Sequence, residues 1–413
     1  MMLIYISAPS SRLHYVFDFV LRETLATEYE FTSNLDFYNS SDNRFKWSYG
    51  QELNNTPSLP AAAILWQTNI DHQPCSKLVR EDIIPIFETE AYGEINFDVL
   101  ASIFYLISRY EEYLPCVKDK HDRYAAIQSI AYQYGFLETA MVNRYILWLV
   151  RWLRSHFPAL DIRIPKPKAL LTVDIDHPFY TKDVSLGKWI KRSLKEFSFL
   201  SETDKYDTTD FMLETLGELA SIFFILCPKN PSDMDHFNQR DSSAFIDLIK
   251  KLKAKTKMGL HPSYFSEEKG LLEEELSWLS SYHERPLKST RFHYLRFDIE
   301  TTPSLLMKAG IQNDFSLGYG THAGFRTSCS LPLYLFDLKK NRKTNLKIYT
   351  PCIMDSVFKY GEVDNFDEKS NQLIEEVQNY GGVFIPIFHN DILADEEWQK
   401  KFLNCVDKMK TLG

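Results

Sequence analysis

Paired cysteines are missing from this chain. Its six cysteines, at positions 75, 116, 227, 329, 352 and 405, include no C-x-x-C. That spacing excludes a thiolate zinc knuckle and a disulfide framework, and it reads as free thiols in a reducing compartment. Long apolar runs are missing too. Arg109, Glu111 and Glu112 interrupt "DVLASIFYLISRYEEYL", and Arg151 and Arg154 interrupt "YILWLVRWLRSHF". Neither reaches the ~20 residues that span a bilayer, so no integral membrane segment is expected. The opening "MMLIYISAPSSRLHY" lacks the basic n-region and the apolar core of a signal peptide. Together these absences predict a cytoplasmic protein. Nor is there an excess of positive charge. The formal net charge is -9, and no basic domain offsets it, which argues against a nucleic-acid partner. There is no internal repeat and no low-complexity segment.

What is present is the composition of an ordinary globular protein. Of 413 residues, 44% are apolar and 25% charged, and the length suits two domains. The stretch "FPALDIRIPKPKALL" carries Pro158, Pro165 and Pro167. Proline disfavours helix in the residue before it and interrupts a central ladder, so a boundary is expected near residue 160. Residues 1–160 then form a smaller N-terminal α/β domain, with a strand at 2–7 and helices near 11–25, 96–114 and 138–156. Beyond it, strand-like runs ("KALLTVDID", "ASIFFILCP", "KMGLHPSY", "STRFHYLRF", "QNDFSLGY", "GGVFIPIFHN") are mostly separated by helix-like ones. That alternation predicts a parallel sheet or barrel with helices outside, and chemistry where strands end.

The strand ends hold the residues of interest. Asp174 and Asp176, in "LLTVDIDHPFY", are two apart and face the same way on a strand. Two like charges that close raise one pKa unless a cation neutralises them. His261 in "MGLHPSY" stands at an apparent strand exit, and neutral imidazole is a leading metal ligand. Arg291 and His293 in "STRFHYLRF" share a face if that run is extended, and an arginine beside an aspartate keeps it ionised and oriented. His389 in "VFIPIFHNDIL" ends an apolar strand near Asp391, an acid able to orient it for general-acid chemistry. The glycine-rich "GYGTHAGFR" lacks phosphate-loop spacing and reads as a wall of the site. Each residue also has a structural reading: helix caps for Asp174, Asn390 and Asp391, a loop histidine for His261, a solvated edge strand for Arg291 and His293. "GKWIKRSLKEF" is a basic amphipathic stretch that reads as a solvated helix face or a contact to an anionic membrane or glycan.

The order "TVDID", "HPS", "RFHY" and a late I-x-H resembles the polysaccharide deacetylase superfamily, the NodB-homology or carbohydrate esterase family 4 group. The whole chain also resembles a two-domain deacetylase-like group of Bacteroidetes, in "LISRYEEYLP", "GLHPSY" and "GYGTHAGFR". The resemblance implies a distorted, TIM-like (β/α) barrel of NodB type over 166–413. It implies a metal-dependent hydrolase acting on an acetylated saccharide. Asp174 would be the catalytic base, Asp176 and His261 metal ligands, Arg291 the residue holding the base, and His389 the general acid. The chain departs from the pattern at Phe265, where a second metal histidine is expected, and at His293, which replaces a proline. Either His293 completes an Asp-His-His shell suited to Zn²⁺, with Co²⁺, Ni²⁺ or Fe²⁺ also accepted, or it hydrogen-bonds the cleft wall and water or His322 takes the third place. The competing functional reading is a catalytically impaired, saccharide-binding or scaffolding protein on the same fold.

Overall fold

The computed structural model describes residues 1–182, 204–235, 240–268, 270–283, 285–361 and 365–412. The basic stretch at 187–197 lies outside the described residues. The molecule is mixed α/β with parallel sheets. The first part holds β1 (Met2–Tyr5), β2 (Tyr29–Thr32), β3 (Lys46–Tyr49) and β4 (Ser58–Leu59), hydrogen-bonded in the order β2-β1-β3-β4. All three pairings are parallel. β5 (Glu88–Tyr92) and β6 (Ile95–Phe97) form a separate hairpin.

The expected helices are present but shorter. The first is α-helical over Ser11–Phe17 and π-helical over Asp18–Thr24. The second runs Val99–Ile107, started by the Asp98 carboxylate, which accepts from the backbone N–H of Leu100 and Ala101. It stops because Arg109 is left-handed (φ 53°) and turns its guanidinium inward to Glu111 and Glu112. The third runs Met141–His156.

The second part is built on β7 (Pro167–Ala169), β8 (Leu171–Ile175), β9 (Ser221–Leu226), β10 (Lys257–His261), β11 (Ser289–Thr290), β12 (Asn313–Asp314), β13 (Leu333–Asp337), β14 (Arg342–Ile348), β15 (Ile353–Met354), β16 (Gly382–Phe384) and β17 (Pro386–His389). Nine of these form one sheet, ordered β13-β14-β12-β11-β10-β9-β8-β17-β15. Its pairings are parallel except β13 with β14. The order is linear: among the described residues no backbone pairing joins β13 to β15, so hydrogen bonding does not close a barrel. "STRFHYLRF" is strand only over Ser289–Thr290. A 3-10 turn, His293–Leu295, follows, with Tyr294 and Leu295 both left-handed (φ 60° and 55°).

The inner strands β8, β9, β10 and β17 are buried on both faces, as covered parallel sheets are. In β8 every residue is buried. Gly259 in β10 has a steric reason: a Cβ there would stand 2.5 Å from the Phe224 ring of β9 and 2.9 Å from the Ser289 carbonyl of β11. One hydrophobic core runs without a break from residues of β1 through the helix Met141–His156 into the central sheet. At the β13 edge, the Tyr15 hydroxyl donates to the Tyr334 carbonyl (2.8 Å). The rings of Tyr15 and Phe104 lie 4.9 and 5.4 Å from Phe336. No helix among the described residues is long and apolar enough to cross a membrane.

Candidate metal and catalytic site

The C-terminal ends of β8, β10, β11 and β17 lie on one edge of the sheet. Pairing places His389 opposite Asp174, and Leu260 opposite Thr290. That register brings Asp174, Asp176, His261, His293 and His389 to one cleft, with Arg291 buried behind Asp174.

Arg291 is fully buried. Its Nη1 donates to Asp174 Oδ1 (2.8 Å) and its Nη2 to Thr172 Oγ1 (2.8 Å). The two acceptors are two apart on β8, so the arginine reads one face of that strand. Nε donates to the Phe315 carbonyl (3.2 Å), and the guanidinium lies over the Phe224 ring (4.5 Å). Both charges are withdrawn from water, where breaking such a pair costs ~3–5 kcal/mol.

Asp176 meets imidazoles instead. Its Oδ1 is 3.1 Å from His261 Nε2 and its Oδ2 is 3.5 Å from His293 Nε2. Burial alone would raise this carboxyl, but His293 and His261 outweigh burial and hold it well below the usual range. The other nitrogen of each imidazole is committed. His261 Nδ1 donates to the Arg291 carbonyl (2.5 Å), and His293 Nδ1 sits 3.1 Å from Asp235 Oδ1. Asp235 also accepts from the Ser232 hydroxyl (2.6 Å) and the Tyr264 N–H (2.8 Å). Against burial, those donors, His293 first, lower it to about 2.

Asp176, His261 and His293 offer ligand atoms within 4.8 Å of one another. A buried carbonyl accepts the only proton His261 Nδ1 can give, so in the neutral ring Nε2 presents a lone pair. It presents it to a carboxylate oxygen. Among the described residues, His261 Nε2 and Asp176 Oδ1 are both buried without a hydrogen-bond partner. With the ring neutral, two acceptors face each other at 3.1 Å, an arrangement that a proton or a metal cation between them resolves. A ligating histidine also ordinarily donates its second nitrogen to a carbonyl or carboxylate, as both do here. The residues present therefore fit a divalent metal.

His389 closes the other side. Its Nε2 is 3.9 Å from Asp174 Oδ2 and 3.8 Å from Asp176 Oδ2. The acid that orients it is Asp355, not Asp391. Asp355 Oδ1 is 2.6 Å from His389 Nδ1, and Oδ2 accepts the His389 backbone N–H (2.7 Å). Burial disfavours the imidazolium, but Asp355, helped by Asp176 and Asp174, holds His389 protonated well above its ordinary range. Asp391 binds His177 Nδ1 instead (2.9 Å), and Asn390 donates to the His177 and Tyr206 carbonyls.

Two residues stay outside. The Phe265 side chain is 47% exposed, and it does not line the cleft. His322 pairs with Thr321 Oγ1 (2.9 Å) and meets Tyr132 edge-on. His293 stands just before the kink: its N–H donates to the Pro262 carbonyl (3.1 Å), two on from the Arg291 N–H to the Leu260 carbonyl (3.1 Å), so extended alternation carries through to it. Its two left-handed successors lack glycine's freedom, at roughly 1–3 kcal/mol each. Asp235 and Asp355 were missed. Asp355 had a legible signal, since it follows a short apolar stretch as Asp174 does; Asp235 lies in a polar loop with none.

The cleft measures about 460 Å³, and Lys120, His121 and Arg123 of the first part share its wall with Tyr294, Gly320 and Thr321. A larger hollow of about 1160 Å³ lies beside Trp148 and Trp152. It shares no residue with the cleft and contains none of the clustered carboxylates and imidazoles.

Residues 2–158 match a family of unknown function, DUF7033. No curated protein matches the chain. Among solved structures, the chain is similar to one from Mycobacterium smegmatis assigned as a polysaccharide deacetylase. The identity is 13% and the TM-score 0.38, over 59% of this chain and 86% of that one. It is also similar to a polysaccharide deacetylase from Bacillus cereus, at 12% identity and a TM-score of 0.32, over 60% of this chain and 88% of that one.

Proposed function

We propose that the chain is a metal-dependent hydrolase that removes acetyl groups from N-acetylated (or O-acetylated) sugars of a poly- or oligosaccharide. The observation that carries this reading is the buried, unpartnered pair of His261 Nε2 and Asp176 Oδ1, with a carboxylate and an imidazole of suitable chemistry on either side. Asp176, His261 and His293 would hold the cation, Zn²⁺ first, with Co²⁺, Ni²⁺ or Fe²⁺ compatible with two imidazoles and a carboxylate. When bound, such a cation polarises the acetyl carbonyl and makes water a better nucleophile at neutral pH.

The protein's own groups do the rest. Arg291 occupies Asp174 Oδ1 and fixes the orientation of that carboxylate, leaving Oδ2 to take the proton of the attacking water. His389, protonated through Asp355, gives its proton to the departing amine nitrogen, which cannot leave as an amide anion. The order of the sequence motifs supports reading the nine-stranded sheet as an opened (β/α) barrel. The matched family supports residues 1–160 as a domain of their own, beside 166–413. Six free thiols support a cytoplasmic setting.

The test is direct. Purified protein should retain a divalent metal and release amine from N-acetylglucosamine oligomers. Chelation should abolish the release, and Zn²⁺ should restore it. Protein that neither retains metal nor deacetylates any such oligomer when Zn²⁺ is supplied overturns the reading.

A further inference from the structure

We propose that the turn at residues 119–123, in the matched N-terminal segment, is the brace that holds His293 in ligating position. That segment is then a working part of the metal centre. The proposal rests on the reading of His293 as a ligand.

The loop carrying His293 needs holding. It leaves β11 after Thr290 and enters two successive left-handed residues, Tyr294 and Leu295, a conformation that persists only where the surroundings over-determine it. Those surroundings come largely from the first part of the chain. Arg123 Nη1 donates to the Tyr294 carbonyl (2.7 Å). The His121 ring lies 4.6 Å from the Tyr294 ring. Arg296, one residue beyond the kink, donates back to the His121 carbonyl (3.3 Å).

The turn itself is rigid. Asp119 Oδ1 accepts the backbone N–H of His121 (2.9 Å) and Arg123 (3.0 Å), and Oδ2 accepts Arg123 Nε (2.9 Å). Arg123 is thus fixed by one carboxylate before it reaches Tyr294. On the far side, the Tyr294 hydroxyl donates to the Met234 carbonyl (3.3 Å), next to Asp235, the partner of His293. Tyr294 is clasped between the N-terminal turn and the loop that orients His293.

Gly320 fits the same account from the opposite side. A Cβ there would lie 2.0 Å from Arg123 Nη1, so the glycine-rich loop leaves room for the guanidinium. Its backbone φ is not in the left-handed region, so alanine is locally acceptable and would act by displacing Arg123.

The experiment measures Zn²⁺ affinity of the full-length protein by chelator competition, with the visible spectrum of the Co²⁺ form as a second readout. Arg123→Ala should weaken Zn²⁺ binding ~10-fold or more, as loss of a group orienting a ligand does, and alter the Co²⁺ spectrum. Arg123→Lys should recover part of the loss, and Gly320→Ala should reproduce it with the arginine present. Arg144→Ala breaks a different tie between the two parts, to Glu376 (2.6 Å), and should leave affinity unchanged.

Unchanged affinity in Arg123→Ala overturns the brace, as does an equal loss in Arg144→Ala. If Arg123→Ala does not fold, Gly320→Ala decides alone. His293→Ala separates the two levels. Full affinity in that variant removes the ligand reading itself, whereas lost affinity there with intact affinity in the Arg123 variants removes only the brace.

Discussion

Asp174 and Asp176 stand one residue apart and lead different lives. Arg291 neutralises the first, and two imidazoles face the second, which is how two carboxylates share one strand end without repelling it open. Their substitutions should therefore differ. Asp174→Asn should keep the metal content, lower the urea midpoint because the buried Arg291 loses its counter-charge, and lose ~10²–10⁴-fold in deacetylation, the usual worth of a positioned base; activity within a few-fold of the parent would refute the role. Asp355 offers a test through pH. A general acid must be protonated, so activity falls as pH rises through the pKa of His389. Asp355 is the foremost group holding that pKa up. In Asp355→Asn the alkaline limb of the amide-cleavage profile should move to lower pH, while cleavage of an activated acetate ester, whose leaving group needs no proton, should change less. A limb that stays in place would detach Asp355 from the acid.

At the level of elements, the sequence was most readable where a strand had one clear signal. β10 and β17 end in His261 and His389, and β8 carries Asp174 as its last residue but one; these polar residues mark the cleft edge. Arg291 and His293 were legible as an alternating pair, but the turn that follows was not, because Tyr294 and Leu295 are left-handed and no glycine announces them. The β13–β14 hairpin went unread, since β14 opens with exposed Arg342, Lys343 and Asn345 in a run that pattern alone assigns to loop. Asp235 was out of reach, since only the fold brings a residue 58 positions away beside His293. Element packing makes its own prediction. Gly259→Ala would force β10 away from Phe224, the ring beneath the Arg291 guanidinium. It should destabilise the protein by ~1–3 kcal/mol, as overpacking does, measurable as a lower urea midpoint.

Taken whole, the molecule is tied across its two parts by buried charge as well as by apolar packing. Glu112 accepts Arg326 Nη2 (2.7 Å) and Arg109 Nε (2.7 Å), all three nearly or fully buried. The motifs "LISRYEEYLP" and "GYGTHAGFR", far apart in sequence, are thus two halves of one contact. Glu112→Gln leaves the buried Arg326 without its carboxylate and Arg109 with Glu111 alone, and should cost ~3–5 kcal/mol. Unfolding in urea should remain a single transition seen alike by far-UV and near-UV signals; two separate transitions would mean that the parts fold independently. The cover over β13 has a consequence in time. The apolar faces of residues 11–17 and 99–107 leave the ribosome well before the hairpin at 333–348 exists. At ~5–20 residues per second they wait roughly 10 to 70 s for the strands they pack on. Until then the Tyr15 and Phe104 rings lack Phe336, the β13 ring they pack against.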